Sequence, residues 1–153
     1  MILTVNTKPY GTVQVDERQK INFKAGLFGF EGLREYVLLD GETQPWYWLQ
    51  STENVNAAFV LIDPFLFRPD YEMDINDDEL NEIGVKNPED ALYFTIVTIP
   101  QDGSPMTANL RGPVIINREK RLGKQVILSD QRWNTKHDIQ KELAVSNPKK
   151  APC

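Results

Sequence analysis

The chain has 153 residues, 41% of them hydrophobic, and a formal charge of −5, a size that buries a core without a disulfide or a metal. Its only cysteine is Cys153, which excludes an internal disulfide and a cysteine-based zinc site. The start, Met1 to Pro9, has no basic n-region, and the longest apolar run, Ala57 to Ile62, falls far short of the roughly 20 residues of a membrane span. The expectation is a single cytoplasmic domain over residues 1–145, with no membrane association, followed by a flexible tail over residues 146–153.

Taken in order, period-two alternation and β-branched or aromatic runs predict strands at Ile2–Val5, Gly11–Val15, Ile21–Phe23, Tyr36–Asp40, Trp46–Gln50, Ala57–Ile62, Leu92–Pro100, Met106–Leu110, Val114–Asn117 and Lys124–Ser129. Between them lie turn signals, of which Asp102-Gly103 and the Asn117–Gly123 linker read as hairpin loops. Asn76 to Gly84 reads as a short helix: Asn76 can cap, Glu79 can complete a capping box, and Gly84 can terminate it. A single turn is expected around Gly32–Tyr36 and a second short helix from Asp138 to Val145. Many short strands without a βαβ rhythm predict a mainly β, single-domain antiparallel β-barrel-like fold with one or two short helices.

Charge is unevenly spread. Residues 63–90 carry ten acidic and two basic groups, and residues 111–153 carry ten basic and four acidic ones. The acidic block would attract a basic partner and repel nucleic acid. The basic residues Arg111, Arg118, Lys120, Arg121 and Lys124 sit near a hairpin without interleaved aromatics, so direct nucleic-acid binding is not expected.

Catalytic constellations are missing. His137 is the lone histidine, in a polar setting that suits a hydrogen-bonded structural role. Gly26-Leu27-Phe28-Gly29-Phe30 lacks the features of a phosphate loop and reads as a tight bend bringing Leu27, Phe28 and Phe30 into the core. Asp70, Glu72, Asp74 and Asn76 imitate the spacing of a calcium loop, but Ile75 replaces the turn glycine and Asn81 the bidentate glutamate. No nucleophile constellation, phosphate loop or dedicated metal-ligand set stands out, while a paired-carboxylate site stays open on the residues alone. Trp46 and Trp48 share one strand face and Tyr47 takes the other; core packing is the plainer reading and a binding groove the alternative.

Several segments, read in chain order, resemble the flagellar assembly factor FliW family. They are Phe23 to Glu31, Trp48 to Ser51, Ala58 to Pro64 with Tyr71, Thr95 to Pro100, Thr107 to Leu110 with Gly112 to Asn117, and Gln125 to Leu128. A weaker likeness continues from Trp133 to Ile139, with Trp133 where the family has a tyrosine, then Lys136-His137.

The resemblance implies a barrel-like fold without catalytic residues, metal, cofactor or small-molecule substrate, and two protein partners. One is CsrA, the RNA-binding translational repressor, whose block on flagellin messenger RNA is relieved by binding; the other is flagellin, which takes the factor away when it accumulates unsecreted. Within that scheme the acidic residues Glu72, Asp74, Asp77, Asp78 and Glu79 are the expected contacts for the repressor. Asn109, Leu110, Pro113 and Asn117 are the expected contacts for flagellin, because Asn109 offers donor and acceptor and Pro113 suits a strand edge. Two alternatives stand beside it: a flagellin-specific chaperone without repressor binding, and a small-ligand or carboxylate-hydrolase barrel.

Overall fold

The computed structural model describes residues 1–146. Apart from Ser146, the expected tail lies outside the described residues. Eleven strands are described, β1 (Ile2–Thr7), β2 (Gly11–Asp16), β3 (Lys20–Asn22), β4 (Glu35–Asp40), β5 (Tyr47–Ser51), β6 (Ala58–Ile62), β7 (Ala91–Thr98), β8 (Thr107–Ala108), β9 (Val114–Asn117), β10 (Gly123–Gln125) and β11 (His137–Asp138). The helices are α1 (Asp77–Glu82) and α2 (Ile139–Ser146).

Strands β10, β9, β7, β6, β5, β4 and β3 follow one another by antiparallel pairing, and β8 branches from β7 to carry β11. The two ends of the path meet. Asn22 bridges Leu122, with the Asn22 amide donating to the Arg121 carbonyl at 3.0 Å, and this brings the two ends of the sheet together into a barrel. Gly123 stands at the seam because a Cβ there would lie 2.5 Å from the ring of Phe23.

Alternation along the strands divides the apolar residues between two sides. Ile21, Tyr36, Leu49, Leu61, Phe94, Val114 and Ile116 fill the barrel interior. The outer face of β7 and β9 presents Ala91, Val97 and Ile115 to a second cluster, which is covered by the 63–85 segment and by the chain after β10. All four residues of β9 are consequently buried. The separate β1–β2 hairpin lies over Val37 and Leu39 on the outer side of β4, where Val5 and Val15 meet them.

Local chemistry sets the element ends. Asn76 caps α1 by accepting from the Asp78 amide at 3.0 Å. Glu79 closes no capping box; its carboxylate turns to Lys124 at 3.9 Å. Gly84 follows the helix with φ +71. No helical turn forms at 32–36, where Leu33 and Arg34 lead directly into β4. The strand expected over Met106–Leu110 shortens to two residues because the Asn109 side chain accepts from the Gly112 amide at 2.9 Å and turns the chain. The amides of Leu110 and Arg111 then both donate to the Asn134 carbonyl.

The Gly26–Phe30 bend also differs from expectation. Gly26 (φ +67) and Gly29 (φ +87) turn only Leu27 inward. Phe28 and Phe30 remain 52% and 41% exposed. Phe30 packs edge-on against Phe59 at 5.0 Å rather than in the core.

Candidate functional site

The acidic segment is shaped by the same period of two that builds the strands, although it lies outside any strand. Tyr71, Met73 and Ile75 pack onto the outer cluster, while Glu72, Asp74 and Asn76 point to solvent. In α1 Leu80 continues the packed side and Asp77 and Asp78 remain exposed. All five acids singled out from the sequence therefore lie along one run, residues 70–80, above a single apolar cluster, with Glu79 half-buried.

What holds that run in place lies about 60 positions further on in the chain. Trp133 is fully buried, and its indole N–H donates to the Glu72 carbonyl at 3.0 Å. The guanidinium of Arg68 sits 4.8 Å from one ring centroid of Trp133 and that of Arg132 4.9 Å, and Tyr71 meets the same side chain edge-on at 4.8 Å. Cation–π contacts of this kind contribute on the order of 0.5–2 kcal/mol each. Burial pushes the Tyr71 hydroxyl above its ordinary range, and it donates to the Leu110 carbonyl at 2.5 Å. The acidic run and the Asn109 loop are thus tied by one hydrogen bond.

The arginines also consume part of the negative field. Arg68 pairs with Asp70 at 2.8 Å and with Glu142 at 3.1 Å. Its hydrogen bonds hold the Asp70 carboxyl down at about 2. Arg132 pairs with Asp130 at 2.8 Å and with Glu72 at 3.3 Å. Lys124 joins Glu82 and Glu79 across from β10. Among the described residues no cation pairs with Asp74, Asp77 or Asp78.

The four residues of the Asn109 group are not equivalent. Leu110, Pro113 and Asn117 are buried. Asn117 donates to the Ile83 carbonyl at 2.8 Å and accepts from the Glu119 and Lys120 amides, which fixes the β9–β10 turn against the end of α1. Asn109 is half-buried; its Oδ1 is taken by Gly112, and its Nδ2 makes no hydrogen bond among the described residues. Strand β8 is paired on both sides, by β7 and β11, so the edge expected there is covered.

His137 is buried and structural: Nε2 accepts from the Asn134 amide at 2.9 Å, and Nδ1 lies 2.5 Å from Glu142 at the start of α2. Among the described residues no group of three or more histidine, cysteine, aspartate or glutamate side chains could hold a metal ion. No helix among them is long and apolar enough to cross a membrane. Arg68 and Arg132 were not marked by the sequence: their pairs with Asp70 and Asp130 are local, but their reach to Glu142, to Glu72 and to the Trp133 indole is set by chain crossings.

Comparison with known proteins gives one family. The FliW protein family model matches residues 4–139. The chain is 49% identical over 141 residues to the flagellar assembly factor FliW of Treponema denticola, covering 92% of this chain and 96% of that protein. With the FliW of Treponema pallidum it shares 45% identity, over 93% of this chain and 95% of the relative. Among solved structures, the crystal structure of the flagellar assembly factor FliW superimposes with a TM-score of 0.83 at 36% identity, covering 90% of this chain and 96% of the other.

Proposed function

Because this chain belongs to the FliW family of flagellar assembly factors, we propose that it works as a cytosolic, non-enzymatic partner switch between the repressor CsrA and flagellin. CsrA, whose RNA-binding surfaces are basic, docks on the acidic run; translation of flagellin messenger RNA is released while it is held. Accumulating flagellin then takes the factor back, so that flagellin synthesis follows its secretion.

The observation that supports this reading most is the outward display of Asp74, Asp77 and Asp78 over a pinned apolar underside. Such a face needs no adjustment to meet a basic surface. Because charges beyond roughly 10 Å are screened at physiological salt, the partner must sit against it. The family-level role in flagellar assembly speaks against the hydrolase alternative, as does a barrel interior filled by aliphatic and aromatic side chains.

For flagellin the proposed contact is the Asn109 loop. Asn109 supplies the Nδ2 donor, and Leu110, Pro113 and Asn117 act from beneath by fixing the loop's shape. Asn109→Asp keeps the acceptor for Gly112 and removes the donor, so it separates folding from recognition.

The test is co-purification of the full chain with CsrA and with flagellin, singly and together, across a salt titration. Capture of CsrA that weakens with salt and is lost when flagellin is added is the expected result. Capture of flagellin alone would replace the switch with the chaperone reading.

A further inference from the structure

A cleft of about 490 Å³ opens between the β1–β2 hairpin and the outer face of β5 and β6, and neither proposed partner surface uses it. Its volume falls within the roughly 300–1,000 Å³ typical of binding sites. Tyr10, Trp46, Trp48, Val60, Ile99 and Met106 supply the apolar lining. Trp48 and Val60 are directly opposed in the β5–β6 register and face outward, whereas Tyr47 packs toward the interior. Ile99 is 55% exposed, and both tryptophans are only half-buried. Two indoles, a thioether and an exposed β-branched side chain around one depression are the composition of an adaptable protein-binding surface.

The rim is acidic. Glu42 lines the cleft, and no lysine or arginine does. Asp40 ends β4 beside it, where the Tyr10 hydroxyl donates to its carbonyl at 3.1 Å. Asp102 lies on the loop that carries Ile99 and Met106 from β7 to β8. The floor offers an occupant side chains only, because β5 and β6 are each paired on both sides and have no free backbone edge. An extended peptide that binds by strand addition finds no free edge on this floor, whereas a helix presenting apolar residues at i, i+3 or i+4, and i+7 needs just such a face.

We infer that this cleft docks an amphipathic helix of a partner protein, its apolar stripe seated on Trp46, Trp48 and Ile99 and its lysine or arginine flanks set against Glu42, Asp40 and Asp102. The inference stands apart from the partner switch and uses neither of its partners. The probe is a synthetic leucine/lysine peptide with leucines at helical spacing, titrated into the full chain by calorimetry and by tryptophan emission.

Saturable one-to-one binding with a blue shift of emission is expected, weakened about tenfold or more by Ile99→Glu and by Glu42→Lys. Both substitutions sit at the surface, and circular dichroism of each variant checks that it folds. A scrambled peptide of the same composition, and a leucine/glutamate version, should bind about tenfold or more weakly as well. Equal binding of the scrambled peptide, or variants with unchanged affinity, would overturn the inference. So would sedimentation showing a dimer that Ile99→Glu dissociates, since the cleft would then hold a second copy of the chain.

Discussion

Trp133 donates its indole N–H to the backbone carbonyl of Glu72, 61 positions away in sequence, and so fastens the acidic run to the chain that follows β10. Arg68 and Arg132 lie over the indole at nearly equal distances, and each also holds a carboxylate of the run, Asp70 and Glu72 respectively. The arginines thus serve the packing of the tryptophan and the orientation of the acids together.

Trp133→Phe keeps an aromatic ring in the site but removes the donor to Glu72 and weakens both guanidinium contacts. The expected loss of stability is about 1–3 kcal/mol. Urea denaturation should show a lower midpoint with an unchanged slope. A midpoint equal to wild type would mean that the run is held by its apolar underside alone.

Asp70 gives a pH signature. The hydrogen bonds from Arg68 hold its carboxyl at about 2, against an ordinary value of 3.8. A depressed carboxyl stabilises the fold above the ordinary value, and the contribution is lost as pH falls through about 2. Because Asp70 is largely exposed, the energy involved stays within about 1 kcal/mol. A carboxyl-detected NMR titration should find Asp70 titrating near 2 in the wild type and returning toward the ordinary range in Arg68→Gln.

The strand framework was legible because burial repeats every second residue, whereas nothing in the β-branched run of β9 told that both of its faces are covered. The acids were legible too, since nothing but charge and alternation is needed to place them. Their pairing was not: Arg132 reaches Glu72, and Lys124 reaches Glu79 and Glu82, only because distant segments cross. Phe28 and Phe30 misled for a related reason. Composition places phenylalanines inside, but the positive φ of Gly26 and Gly29 decides which side of the bend faces the barrel, and that choice belongs to the backbone. At Asn109, Leu110, Pro113 and Asn117 the sequence marked candidate contact residues without revealing that three of the four side chains, all but that of Asn109, are buried.

Tyr36 is fully buried, and its hydroxyl has no hydrogen-bond partner among the described residues. Burial, reinforced by the charge of Glu53, pushes the phenol up to about 12. Tyr36→Phe removes an unsatisfied polar atom at almost no cost in volume and should be neutral or stabilising by about 1 kcal/mol. The wild type, with its phenol raised, should lose stability as pH climbs from 10 through about 12. Tyr36→Phe should flatten that alkaline loss, as read from thermal unfolding at successive pH values.

Gly123→Ala probes the barrel seam. The new Cβ would lie 2.5 Å from the Phe23 ring, which is fully buried and cannot swing into solvent. The expected cost is about 1–3 kcal/mol. Gly32→Ala is the matched control, since a Cβ there meets nothing within 4 Å, and it should stay within about 0.5 kcal/mol of wild type. Equal midpoints for the two variants would show that the seam repacks freely.

The ion pairs rank the acids for the proposed repressor contact. Glu72 already answers Arg132, and Glu79 lies within reach of Lys124, whereas Asp77 and Asp78 hold their charge at the exposed start of α1 with no cation opposite. Unpaired charge is what an incoming basic surface can use. Asp77→Asn with Asp78→Asn should therefore weaken CsrA binding by up to about tenfold, more than Glu72→Gln with Glu79→Gln. Losing two acids from the first turn of a helix costs about 0.3–1 kcal/mol each, so circular dichroism must first show that α1 persists. The gap between the two double variants should close as salt is raised; equal losses at low salt, or a gap indifferent to salt, would move the repressor contact away from the start of α1.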